Sequence, residues 1–156
     1  MKKFIFFTIG CCIAFTVKSQ SAQSCSNKTG ESSAPAGNLL TKDYSAIDTY
    51  VLGLQKNYTD IYTLSRDLTA NYTDDRDKVR AIYRWITENI AYDCKDYHRG
   101  NPMASRFRAN SYDEEDFRYY FARNVIQSKK AVCEGYAILF YELCKVSEIR
   151  CSIAEG

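Results

Sequence analysis

Lys129-Lys130-Ala131-Val132-Cys133-Glu134-Gly135-Tyr136-Ala137-Ile138-Leu139-Phe140-Tyr141-Glu142-Leu143-Cys144 is the stretch on which the reading of this chain turns. After Cys133, the residues Tyr136, Ala137, Leu139, Phe140, Leu143, Cys144 and Val146 cover about half of a helical wheel, leaving mainly Glu142 and Lys145 as charged positions. A helix so widely apolar lies largely inside a protein. Cys133 falls in its first turn, where backbone N–H groups lack intrahelical acceptors and the positive end of the dipole favours a thiolate. The same N–H groups can receive the oxyanion formed when a carboxamide carbonyl is attacked, and Gly135 is expected to leave room for an incoming substrate. Nucleophile and oxyanion donors thus share one turn, which makes Cys133 the candidate catalytic residue. Cysteine is also among the most frequently buried residue types, so a structural role stands beside the catalytic one. Glu134 reads as an ordinary carboxylate at a helix N-terminus.

Working outward, Glu114 to Ile126 has an acidic first turn and places Phe117, Tyr120, Phe121 and Val125 on one face, which predicts a helix broken at Gln127-Ser128-Lys129-Lys130. Cys94 to Ser111 is polar, contains Gly100 and Pro102, and reads as a surface loop. The clearest helix runs from Asp74 to Ile90, capped by Thr73 or Asp74, with Val79, Ile82, Tyr83, Ile86 and Ile90 on its core face. From Tyr44, apolar residues recur at helical spacing through Leu68, which fits one or two helices. Trp85 and the tyrosines read first as core or surface aromatics. Downstream, Cys151 to Gly156 alternates as a strand does, with no partner strand evident for its N–H and C=O groups.

The 156 residues are 46% hydrophobic and 26% charged with 7 glycines and 2 prolines, which describes one folded domain and excludes disorder, collagen and coiled coil. Twenty-one basic against 19 acidic residues leaves no cationic face for a nucleic-acid backbone. Met1-Lys2-Lys3 followed by apolar Phe4 to Val17 is too short to span a bilayer and reads as a signal peptide over residues 1–19, with Val17-Lys18-Ser19 as the cleavage site. Its removal takes three of the basic residues and none of the acidic ones, so the remainder carries net charge −1. The expected localisation is export to the periplasm or outside, with lipid attachment at Cys11 the lesser alternative because Thr8 is a poor lipobox residue. Residues 20–38, rich in Ser, Ala, Gly and Asn, read as a flexible linker, and the domain as 39–156. Three Asn-x-Thr sequons begin at Asn27, Asn57 and Asn71, but the lysine-led leader looks bacterial, so they carry no expected modification. Five cysteines remain in the mature chain, and Cys144 and Cys151 are close enough to meet across a helix-to-strand turn, although spacing fixes no connectivity. No Cys-x-x-Cys pair exists and His98 is the only histidine, so no metal site is expected.

Two blocks of this sequence resemble a known family. Asp77-Lys78-Val79-Arg80-Ala81-Ile82-Tyr83-Arg84-Trp85-Ile86-Thr87-Glu88-Asn89-Ile90-Ala91-Tyr92-Asp93 and Lys130-Ala131-Val132-Cys133-Glu134-Gly135-Tyr136-Ala137 are similar to the transglutaminase-like superfamily of papain-type cysteine enzymes, in its bacterial exported branch. The second block looks like the family's nucleophile motif. The resemblance implies an α+β papain-like, transglutaminase-like core, of which mainly the helical N-terminal half and one strand are present. It also implies Cys133 as catalytic cysteine, acting on a glutamine carboxamide or peptide-like amide bond of a protein or peptide substrate through a thioester that an amine or water resolves. No organic cofactor or metal is implied, and the oligomeric state stays open. Ser147-Glu148 stands where related sequences have a small residue and glycine closing the helix. In the family a histidine and an aspartate follow on later strands, whereas this sequence gives 23 residues beyond Cys133. Neither partner is assigned, and His98, which precedes Cys133, reads as a surface histidine. The expectation is a domain truncated after the nucleophile helix and inactive as such; the alternative is a non-catalytic exported binding or scaffold module of the same fold.

Overall fold

The computed structural model of the chain describes residues 3–7, 42–54 and 56–155. In chain order its elements are β1 (Lys3–Phe7), α1 (Ser45–Leu52), α2 (Ile61–Thr69), α3 (Asp75–Asn89), β2 (Ala91–Tyr92), α4 (Cys94–His98), α5 (Pro102–Ala109), α6 (Glu114–Ser128), β3 (Lys130–Ala131), α7 (Cys133–Val146) and β4 (Cys151–Glu155). The architecture is α+β and mostly helical, as expected. The cleavage site at Val17 to Ser19, the linker 20–38, Cys11, Cys25, the Asn27 sequon and the domain start at Leu39 all lie outside the described residues. Among the described residues no helix is long and apolar enough to cross a membrane.

The helix α7 is the hub. It packs against α2, α3 and α6, with Ile138, Leu139, Leu143 and Cys144 each no more than 1% exposed. Complete burial of a Leu or Ile side chain contributes about 1.5–3 kcal/mol, so this one element organises the others around it. α3 meets it with Ile82, Trp85 and Ile86, and α6 with Phe117, Phe121, Val125 and Ile126. Trp85 is core, with Tyr58 edge-on to its ring and the Lys129 ammonium 4.7 Å over it. The span from Tyr44 resolves into two helices, α1 and α2, the second started by Asp60, whose carboxylate accepts from the Thr63 N–H.

Four sequence expectations are corrected here. The polar stretch Cys94 to Ser111 contains α4 and α5, because Asp93 and Asn101 cap them, Asn101 in a left-handed conformation at φ 59° ahead of Pro102. Capping chemistry formed these short helices where apolar periodicity gave no signal. Glu142 does not point to solvent; it is 3% exposed, with its Oε1 3.7 Å from Arg118 Nε on α6 and neither atom hydrogen-bonded. The wheel marks it polar, but α6 covers that side of the helix. β4 is not alone, for β1 pairs with it antiparallel, Lys3 opposite Glu155 and Phe7 opposite Cys151.

The remaining correction concerns Gly135. It is buried, and a Cβ there would stand 2.7 Å from Ala131 Cβ and 3.2 Å from Val125 Cγ2. Its bareness seats the first turn of α7 on β3 and α6 and opens nothing to a substrate. The C-terminus of α7, in turn, closes without glycine. Glu148 takes the left-handed conformation at φ 61°, Ile149 N–H donates to Cys144 C=O at 2.9 Å, and Glu148 N–H donates to Lys145 C=O at 3.1 Å. Ser147 turns its hydroxyl inward to Ser65 (2.7 Å) and Leu143 C=O (2.9 Å), which anchors the turn on α2.

Two outcomes follow from this packing. Gly135→Ala gains about 1 kcal/mol of helix propensity but forces two rigid carbons apart, at a cost of about 1–3 kcal/mol. Chemical denaturation should show a net loss of stability, and an unchanged or raised midpoint would refute the seating. Burial pushes the Glu142 carboxyl above its ordinary value despite nearby Lys145 and Arg118. A folded value above the unfolded one means that stability drains away as pH climbs from the unfolded carboxylate range, about 4.3, toward the raised folded value. Glu142→Gln should therefore improve in stability relative to the parent as pH rises from about 4, and a difference independent of pH would contradict it.

Candidate active site

Two residue pairs build the site. β2 and β3 run parallel, Ala91 opposite Lys130 and Tyr92 opposite Ala131. Ala91 N–H donates to Lys129 C=O and Asp93 N–H to Ala131 C=O, both at 2.9 Å. Each strand enters a helix within two residues, β2 at Cys94 and β3 at Cys133. This short ladder joins the end of α3 to the start of α7, and so unites the two sequence blocks that lie about forty residues apart in the chain.

Cys133 is the first residue of α7 and is half-buried. α2 to α6 each begin with an Asp or Asn whose side chain accepts a backbone N–H of the first turn: Asp60, Asp74, Asp93, Asn101 and Asp113. Val132 occupies that place in α7, extended and without a capping side-chain hydrogen bond. The capping position of this turn therefore contributes no side-chain acceptor.

Aromatic rings wall the site on the β2 side. Tyr92 stacks on Tyr136 with centroids 6.4 Å apart and tilts against Tyr97 at 6.1 Å. Tyr136, one turn along α7, donates its hydroxyl to Ile90 C=O and so pins that turn to the end of α3. Burial, and then the neighbouring Cys133, Tyr97 and Cys94, raise the Tyr92 phenol above its usual value, so it stays a neutral O–H at physiological pH. Tyr92 and the Cys133 thiol are thus electrostatic neighbours.

Glu134 does more than decorate the helix start. Arg108 Nη2 donates to its Oε1 at 3.0 Å and Asn101 Nδ2 to its Oε2 at 2.6 Å. Arg108 also stacks 4.1 Å over Phe117 and pairs with Glu114 at 2.5 Å. The α4–α5 segment is thereby docked beside Cys133 by its own polar residues. Sequence reasoning missed Asn101 and Arg108, since nothing in a polar loop announces which carboxylate it will grip; Tyr92, inside a quoted block, was within reach.

The structure leaves the other sequence candidates apart. His98 ends α4, exposed, its ring edge-on to Tyr97 at 5.6 Å, and no hydrogen bond joins it to Cys133. Cys144 lies buried near the far end of α7. Among the described residues no group of three or more His, Cys, Asp or Glu side chains is placed to hold a metal ion.

The comparisons with known proteins converge on the same region. A family model described as the transglutaminase-like superfamily matches residues 62–156, which takes in α3, the β2–β3 ladder and α7. The kyphoscoliosis peptidases of Mus musculus and Homo sapiens are 28% and 27% identical to this chain over 93 residues, 60% of the chain. The chain spans 12% of the length of each of these relatives. No solved structure matches it significantly. With Cys133 at the head of the buried helix in both the motif and the fold, and with the family match covering more than half of its length, the chain belongs to the transglutaminase-like superfamily.

Proposed function

We propose that Cys133 is the nucleophile of a transglutaminase-like cysteine enzyme that attacks a glutamine carboxamide or peptide-like carbonyl. One observation carries this reading above the rest: Cys133 heads a buried helix whose first turn has no capping side chain. In the reaction the Cys133 sulfur bonds to the carbonyl carbon and the carbonyl oxygen becomes an oxyanion, to which the first-turn N–H groups of α7 can donate. Collapse of that intermediate breaks the C–N bond, and the leaving nitrogen takes a proton, giving ammonia or an amine and a Cys133 thioester. An amine then accepts the acyl group in transfer, or water does in hydrolysis. The Tyr92 and Tyr136 rings would flank the acyl chain.

A histidine base and its aspartate partner are not assigned among these residues, so the reading requires both from elsewhere in the working protein. We further propose that the protein is bacterial and exported, on the basic-then-apolar leader over residues 1–19. Cleavage of that leader removes β1 and frees the edge of β4 that it covers.

Alkylation tests the nucleophile directly. Cys94 is exposed and Cys133 only half-buried, so exposure alone predicts that Cys94 reacts first with iodoacetamide. Activation predicts the reverse, with Cys133 modified at least about fivefold faster by peptide-resolved mass spectrometry, since the thiolate is the reacting form. Val132→Thr, nearly the same shape, supplies an oxygen able to cap the turn; it should stabilise the fold by about 0.5–1 kcal/mol and slow modification of Cys133. Faster labelling at Cys94 in the parent chain, or indifference of Cys133 to the added cap, would leave the non-catalytic module as the better description.

A further inference from the structure

Besides Cys133, the described residues hold three free cysteines, and two of them flank the turn that joins α7 to β4. Cys144 lies near the end of α7 with none of its surface exposed, whereas Cys151, the first residue of β4, is half-buried. The cap built by Ser147, Glu148 and Ile149 reverses the chain, so that β4 returns along α7. That return sets Cys151 Sγ 3.8 Å from Tyr141 C=O, three residues ahead of Cys144 on the same side of the helix. Cys151 S–H donates to that carbonyl, and the Cys144 and Cys151 thiols are each other's leading electrostatic partner. No step of the thioester chemistry uses either group, which sit at the opposite end of α7 from Cys133.

We propose that Cys144 and Cys151 form a redox pair, whose oxidation to a disulfide staples β4 to the C-terminal end of α7. The two partners differ in the way that thiol–disulfide exchange needs. Cys151 is the reachable one, and the neighbouring Cys144 holds its thiol below the ordinary value. Cys144 is sealed in the core, and Cys151 together with burial pushes its thiol up. The oxidant is a small-molecule disulfide. The Cys151 thiolate attacks one of its sulfurs, the old S–S bond breaks, and one thiolate leaves and takes a proton. Cys144 then attacks the Cys151 sulfur, its proton passing to the departing thiolate, which leaves as the second thiol. The protein has lost two hydrogens, and one disulfide has become two thiols. The ring closed through the cap is short, and its members already hold their folded geometry, so the bond restricts the unfolded chain more than the folded one.

The test uses the full chain carrying Cys133→Ser, because trypsin leaves Cys133 and Cys144 in one peptide, residues 131–145. After incubation with oxidised glutathione, the expected product has lost two hydrogens, and its digest shows residues 131–145 joined to residues 151–156. In the unsubstituted chain Tm should rise by at least about 4 °C on oxidation and return with dithiothreitol. Cys151→Ser, at a half-buried position where serine is tolerated, should abolish both the linked peptide and the Tm difference. Glutathione remaining attached to Cys151, a bond that involves Cys94, or equal Tm in the oxidised and reduced forms would each overturn the proposal. None of these readouts depends on whether Cys133 is a nucleophile.

Discussion

The first turn of α7 rests on β3 at a distance that no side chain would allow. Gly135 stands where a Cβ would be 2.7 Å from that of Ala131, and this close approach fixes the rest. It holds the helix start against the β2–β3 ladder, which in turn ties the end of α3 to the same point. Cys133 opens that turn and inherits its position from the contact. Tyr136 repeats the constraint one residue later, by bonding across to Ile90 C=O. Cys133 is therefore positioned by the packing of its own turn rather than by a flexible loop.

Polar chemistry is arranged around this seat in two different ways. At the head of α7 the capping position is apolar and offers no side-chain acceptor. Immediately beside it Glu134 is fully engaged by Arg108 and Asn101, so its charge is spent on docking α4 and α5. The carboxylate next to Cys133 thus serves as an anchor. At the opposite end the helix closes through Glu148 in a left-handed conformation and a hydroxyl cluster with α2, which bends β4 back onto α7 and sets Cys151 against Tyr141. Strain at one backbone position is offset by three satisfied donors.

The family comparison and the packing emphasise the same elements. The matched region begins inside α2 and runs through α7 to β4, while α1 contributes chiefly by covering α3, with Asp48 gripping Arg80 at 2.8 Å. The chain represents a short span of its curated relatives, so functional inference falls on the site itself.

Much of this was legible from the residues in order. Asp74, Asp113 and the 3.6-residue spacing of Ile82, Ile86, Phe117, Phe121, Leu139 and Leu143 determined where α3, α6 and α7 run, because capping and amphipathicity are local properties. The Cys133 motif likewise fixed which sulfur begins the buried helix. What only the tertiary structure decided are the contacts between segments: Gly135 against Ala131, Arg108 and Asn101 on Glu134, Glu142 enclosed by α6, and Cys144 beside Cys151. A periodic pattern states which face of a helix is apolar but not what will cover the rest of it, and a polar side chain becomes an anchor or a buried charge only when the chain has folded something against it.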